Sequence, residues 1–151
     1  MIVTFFGHSD FSKAHEYEQT VLRVFEERIG DASAELYFDG YGAFDAFAYH
    51  CGKIYQKTHR NVSLIFVTPY MTESYQKTHL FYQKARYDAI IYPTLENVPL
   101  KFAISKRNRW MVECADLVIT YITHSYGGAY QAYKFAKARQ KELLNLSKIN
   151  L

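Results

Sequence analysis

The sequence predicts an α/β fold: a single Rossmann-like, doubly wound domain over residues 1–151, with a mostly parallel sheet of about five strands and helices on both faces. Three observations predict it. Strand-like and helix-like segments alternate along the chain. The strand-like segments are continuous apolar runs, the pattern of strands covered on both faces, and not the half-polar alternation of an exposed sheet. The 151 residues, 49% hydrophobic and 22% charged, are one domain's worth of chain with apolar mass enough for a core.

The elements follow in order. Ile2 to Phe6 is a short β-prone run ended by Gly7, and residues 12 to 29 switch to helical spacing, with Tyr17, Val21, Val24, Phe25 and Ile29 on one face. Glu35 to Phe38 is a second strand, followed by a turn at 39–42 and a helix on which Phe44, Phe47, Ala48, Cys51, Ile54 and Tyr55 recur. Val62 to Val67 is a third strand stopped by Pro69, Glu73 to Arg86 a weakly patterned helix, and Asp88 to Tyr92 a fourth strand stopped by Pro93. Pro99 opens a helix running to about Cys114. Leu117 to Ile122 is a fifth strand, Gly127-Gly128 precede a helix reaching about Leu144, and the tail from Ser147 to Leu151 has room for a short last strand.

Composition excludes several function classes. Fourteen Tyr and eleven Phe raise the aromatic share to 17%, more than pockets and interfaces alone absorb, so most Phe belongs in the core. A net charge of +3 is no argument for nucleic acid, which is not expected as a partner. Cys51 and Cys114 make no disulfide framework and fall on apolar helix faces, as inert thiols do. The run Met1 to His8 is too short for a signal peptide, and no segment approaches a membrane span, so a cytoplasmic protein without membrane contact is expected. The six histidines show no zinc spacing, and neither metal nor cofactor is expected.

In an open parallel sheet, ligands sit beyond the carboxyl ends of the strands, where helix N-termini present unpaired N–H groups. The loops at that edge are Gly7-His8-Ser9-Asp10, Asp39-Gly40-Tyr41-Gly42-Ala43-Phe44-Asp45, Thr68-Pro69-Tyr70 and Thr123-His124-Ser125-Tyr126-Gly127-Gly128-Ala129. Two are glycine-rich and lead into helices, which favours a phosphate-bearing ligand, although neither is a dinucleotide fingerprint or a P-loop. Ala103, Arg107, Trp110, Met111 and Cys114 share one helix face, so Arg107 is a charge on an apolar stripe. It reads equally as a snorkelling or ion-paired arginine and as a guanidinium aimed at an anion in the cleft. The pentapeptide Tyr-Gln-Lys-Thr-His occurs at 55–59 and at 75–79 with unmatched flanks, which is no repeat architecture and is most simply chance.

Together these loops, the stretch Arg107-Asn108-Arg109-Trp110-Met111-Val112-Glu113, the Ala115-Asp116-Leu117-Val118-Ile119 strand and Gly127-Gly128-Ala129 resemble the SLOG superfamily, which joins the DprA/Smf and LOG proteins, and within it the bacterial YpsA-like branch. The resemblance runs from residue 1 to about 145. It implies a Rossmann-like domain binding a nucleotide or nucleotide-derived molecule, with the phosphate at Gly127, Gly128 and Ala129. Gly7 and His8 would floor the pocket, and Gly40, Tyr41, Gly42 and Asp45 would line the base or ribose side. Ser9, Pro69, Tyr70 and Ser125 from the same loops, with Arg107 and Met111, complete the candidate ligand-binding set. The LOG-like enzymes cleave the N-glycosidic bond of a nucleoside 5′-monophosphate with an Arg from an Arg-Lys-x-x-Met stretch and a Glu after a Pro-Gly-Gly-x-Gly-Thr loop. Arg107 and Met111 match the first element, but Tyr130 and Gln131 stand where the acid is expected, and glutamine cannot stabilise the developing oxocarbenium charge. The first reading is therefore a non-catalytic binding module. The alternatives are a LOG-like phosphoribohydrolase, with Arg107 and Asp45 as catalytic candidates, and single-stranded DNA binding of the DprA type. A homodimer is expected.

Overall fold

The computed structural model describes residues 1–150. Six strands form one sheet: β1 (Ile2–Gly7), β2 (Ala34–Phe38), β3 (Val62–Val67), β4 (Ala89–Ile91), β5 (Leu117–Tyr121) and β6 (Leu143–Asn145), in spatial order β4-β3-β2-β1-β5-β6 with every pairing parallel. The helices are α1 (Ala14–Arg28), α2 (Ala43–Gln56), two single turns α3 (Glu73–Tyr75) and α4 (Phe81–Gln83), α5 (Leu100–Cys114) and α6 (Gly128–Ala138). The strand order reverses between β1 and β5, so the crevice that such sheets offer to ligands lies over the ends of these two strands.

The predicted fold class is present, with one strand more than expected. The sixth strand comes from a segment read as the end of the last helix. That helix stops at Ala138 because Gln140 takes a left-handed φ of 55° and the Lys141 N–H donates back to the Ala136 carbonyl at 3.0 Å. Leu143 and Leu144 then pair with Val118 and Ile119 of β5. The short strand expected in the tail is a 3₁₀ turn over Leu146–Lys148, and Leu151 lies outside the described residues. The helix expected from Glu73 to Arg86 is broken by a π-helical turn over Gln76–Leu80 between α3 and α4.

Alternation along the strands divides the core. Phe5, Phe38 and Phe66 face α1 and α2, where they meet Phe25, Phe44 and Phe47, and the Phe5 and Phe38 rings stack at 5.1 Å. Phe6, Tyr37 and Val67 face the other way, onto Met111 and Val112 of α5 and Ala132 and Ala136 of α6. Each fully buried Phe contributes roughly 1.5–3 kcal/mol, and this is where most of the phenylalanine goes. Cys51 belongs to the first layer, and burial pushes its thiol up to about 12. The lone Trp110 stacks on Tyr37 of β2 with centroids 5.8 Å apart. Arg28 of α1 holds Glu142 in a bidentate pair that fastens α1 to the approach of β6.

Candidate ligand cleft at the strand switch

The carboxyl ends of β1, β2, β3 and β5 open into one cleft of about 600 Å³. β1 delivers Gly7 and His8, β2 delivers Asp39 and Gly40, and β3 leads to Pro69 and Tyr70. α5 contributes Arg107 and Asn108, and the start of α6 contributes Gly127, Gly128 and Ala129. Ser9 and Tyr41 complete the predicted residues found in the lining.

The glycines that look alike in sequence do different things. Gly7 presses on the Phe44 ring and leaves no room for a side chain, so it is a packing glycine. Gly42, with φ of 93°, opens α2, but Ser9 sits against it and the Ser9 carbonyl accepts the Ala43 N–H at 3.0 Å. That helix start is plugged. Gly127 has the same conformation, φ of 92°, with nothing within 4 Å of a Cβ there or at Gly128. The earliest α6 amide bonded back within its own turn is that of Gln131, to the Gly127 carbonyl at 3.1 Å. Of the two glycine-led helix starts, α6 is therefore the one open to the cleft, and its first turn brings the positive end of the helix dipole there.

Arg107 is 3% exposed, so its place on an apolar stripe means burial and not snorkelling. Nε donates to Asn108 Oδ1 at 2.8 Å, and Nη1 donates to the Val67 carbonyl at 2.8 Å and to the Asp39 carbonyl at 3.4 Å. Nη2 finds no partner among the described residues, and no carboxylate pairs with the guanidinium. Burial pushes its pKa down, opposed chiefly by Asp39. An arginine this buried without an ion pair is costly unless something anionic completes it.

Asp45 lies beneath the lining, 7% exposed, where Oδ1 accepts the Asp39 N–H at 3.1 Å. Burial, and then the neighbouring Asp39 carboxylate, push its pKa well above the usual range. Asp39 is raised too, by burial, but Arg107 and the hydrogen bonds from Tyr41 and Asp45 work against that shift. Of the two, Asp45 is pushed up the further, because the neighbouring carboxylate adds to its burial, whereas Arg107 works against the rise at Asp39. Met111 is fully buried in the core, Gly42 is behind Ser9, and Ser125 is exposed on its loop, so these three and Asp45 are not in the lining.

Aromatic rings form the sides. His8, His124 and Tyr126 stack in a row at 3.4 and 3.8 Å. His8 Nε2 accepts the Thr123 N–H at 2.9 Å, which requires the neutral ring, and burial followed by His124 lowers its pKa. Opposite, Tyr70 meets Tyr75 edge-on at 5.2 Å, and Tyr75 stacks on His79 at 4.8 Å. Tyr75 and His79 are the first and last residues of the second pentapeptide copy. The first copy makes the same contact, Tyr55 on His59 at 3.7 Å, away from the cleft. Sequence reasoning set the repeat aside; the signal was a Tyr and a His four apart, which a helix brings face to face. Asp39 was missed as well, although it is the first polar residue after its strand. Among the described residues no three His, Cys, Asp or Glu gather to hold a metal, and no helix is long and apolar enough to cross a membrane.

This fold and site define a Rossmann-like α/β protein with an open cleft at the strand switch. No family model and no curated protein matches the chain. Solved structures do. The single-stranded-DNA-binding DNA processing protein A from Helicobacter pylori superposes with a TM-score of 0.64 at 18% identity, over 95% of this chain and 63% of that one. This chain thus spans less than two-thirds of that protein. The structural-genomics protein TM1055 superposes with a TM-score of 0.57 at 10% identity, over 97% of this chain and 78% of its own. At such identities the likeness is one of fold, and it is the Rossmann-like fold that the SLOG resemblance implies.

Proposed function

We propose that the protein is a single-domain binding module for a nucleotide-derived small molecule, of the YpsA-like kind within the SLOG resemblance. One observation carries this reading: Arg107 is buried, lines the cleft and lacks an anionic partner. The open first turn of α6 adds a second positive end for phosphate, and the aromatic sides offer faces to a base. Binding is proposed in preference to cleavage because Gln131 stands where the catalytic glutamate is expected, and Asp45, the acid expected in its stead, lies under the floor. The test is a thermal melt with a panel of nucleoside mono- and diphosphates, NAD, ADP-ribose and cyclic nucleotides. A ligand at 100 times its Kd stabilises by about 2.7 kcal/mol. The wild type is expected to shift with one class, and Arg107→Met to stay folded and lose the shift. A folded wild type that answers to none of the panel refutes the reading.

A second reading, single-stranded DNA binding, is favoured by one feature outside the cleft. Lys134 lies over Tyr130, Lys137 over Tyr133, and Arg109 and Arg139 over Phe135, a basic and aromatic surface on α5 and α6. Oligonucleotide binding that weakens steeply with salt, and is lost in Lys134→Glu/Lys137→Glu, would support it; no retention at low salt ends it. We further propose a homodimer, supported by the exposed Leu100, Phe102 and Ile104 of α5, to be checked by light scattering for twice the 17.7 kDa chain mass.

A further inference from the structure

A second compartment of about 330 Å³ adjoins the cleft, in the groove between α5 and α6. Helical spacing builds it. Lys101, Ser105 and Asn108 recur along one face of α5 with Arg109 beside them, and Gly128 and Gln131 lie one turn apart on α6. Its lining comes from helix faces alone, with no residue from a strand end. Asn108 and Gly128 line both spaces. A Cβ at Gly128 would meet nothing within 4 Å, so that residue leaves the way between them open.

The groove is cationic. No carboxylate lines it, and the residue of α6 that faces Lys101 and Arg109 across it is the neutral Gln131. Glu113, the one acid of α5, is taken by Arg139 at 3.3 Å. The Lys101 ammonium lies 5.1 Å from the centre of the Phe102 ring, and the Arg109 guanidinium 5.2 Å from that of Phe135. Neither cation is ion-paired among the described residues. Asn108 Oδ1 accepts from Arg107 Nε at 2.8 Å, which leaves the Asn108 Nδ2 donors at the boundary between the two spaces. An anion in the cleft meets Arg107 and the start of α6; one that reaches past Gly128 meets Asn108, Lys101 and Arg109 as well.

We infer that this groove is a second anion subsite, so that the preferred ligand is a nucleotide whose phosphate chain extends past Gly128 into it, and not a monophosphate. The inference rests on the nucleotide-binding reading, whose separate support is the buried Arg107 in the cleft.

The test is calorimetric titration of the full chain, in magnesium-free buffer, with the 5′-mono-, di- and triphosphates of the four ribonucleosides. For the base that binds, the triphosphate is expected to bind about tenfold tighter than the monophosphate, the weight of two exposed charge contacts. That advantage is expected to shrink as added salt screens it. Lys101→Gln/Arg109→Gln is expected to bring the triphosphate to the level of the monophosphate and to leave the monophosphate affinity where it was. Both side chains are exposed, so the variant is expected to melt with the wild type. A triphosphate that binds no tighter than the monophosphate, an advantage that survives the double substitution, or a substitution that weakens both ligands alike overturns the second subsite and leaves nucleotide binding standing. Binding of none of the twelve overturns both. Should the variant fail to fold, the wild-type series at low and high salt decides alone.

Discussion

A methyl group separates two kinds of glycine in this protein. At Gly7 it would strike the Phe44 ring, and at Gly128 it would meet nothing within 4 Å. Gly7→Ala is accordingly expected to cost about 3 kcal/mol, and Gly128→Ala to stay within about 0.5 kcal/mol of the wild type. Urea unfolding measures both as midpoint shifts at unchanged slope, and equal midpoints for the two variants would contradict the assignment. Asp45 gives a prediction in pH. Its folded pKa is raised, so the folded state binds more protons than the unfolded state above the ordinary carboxylate value of about 3.9. Its contribution is therefore most favourable below that value and is lost as pH rises from there to the folded pKa. Asp45→Asn keeps the acceptor for the Asp39 N–H and removes the penalty. It is expected to be more stable than the wild type at pH 7, with the difference vanishing near pH 4. Urea midpoints across pH 4 to 8 check this, and a less stable variant at pH 7 would overturn it.

At the scale of elements, the segment from Glu73 to Gln83 is held to the body largely by Leu80, which is 2% exposed between mostly exposed neighbours. A π-turn places Leu80 inward while Tyr75 and His79 reach the cleft. Leu80→Ala is expected to cost about 2–5 kcal/mol and to raise amide exchange in residues 73–83 above that of α2; uniform exchange across both would refute the anchoring role. Much of the element order was legible beforehand. Val62–Val67 and Leu117–Tyr121 are apolar runs interrupted by a single aliphatic hydroxyl residue each, Ser63 and Thr120, the pattern of a doubly covered strand. The i, i+4 spacing of Arg107 between Ala103 and Met111 puts it on an apolar helix face and leaves snorkelling and a place in the cleft equally open; the packing of α5 against the strand ends decides for burial. What stayed illegible was decided by contacts from elsewhere in the chain. Leu143 and Leu144 suit a last helical turn or a strand equally well, and only β5 beside them makes the choice. Gly42 and Gly127 read identically, and the difference is a serine from another loop. Asp45 reads as the site acid of its loop and Asp39 only as part of the turn, and the fold reverses them, with Asp39 at the lining and Asp45 beneath it.

For the molecule as a whole, the division of labour follows from the strand order. The layer under α1 and α2 is packed with aromatic rings, whereas the layer under α5 and α6 carries the small residues Ala132 and Ala136, which let those helices settle onto the sheet. The cleft takes its lining from both layers and from four strand ends, so no isolated fragment contains it. The same order has a consequence for biosynthesis. β1 is translated first, yet one of its two neighbours is β5, and Val3 waits for Leu117 and Gly7 for Tyr121. Until then a growing chain with β1 to β4 paired exposes an unmatched hydrogen-bonding edge at its most apolar strand. A ribosome that stalls before Leu117 leaves that edge available to other chains, so delivery of the last quarter of the protein decides between folding and self-association.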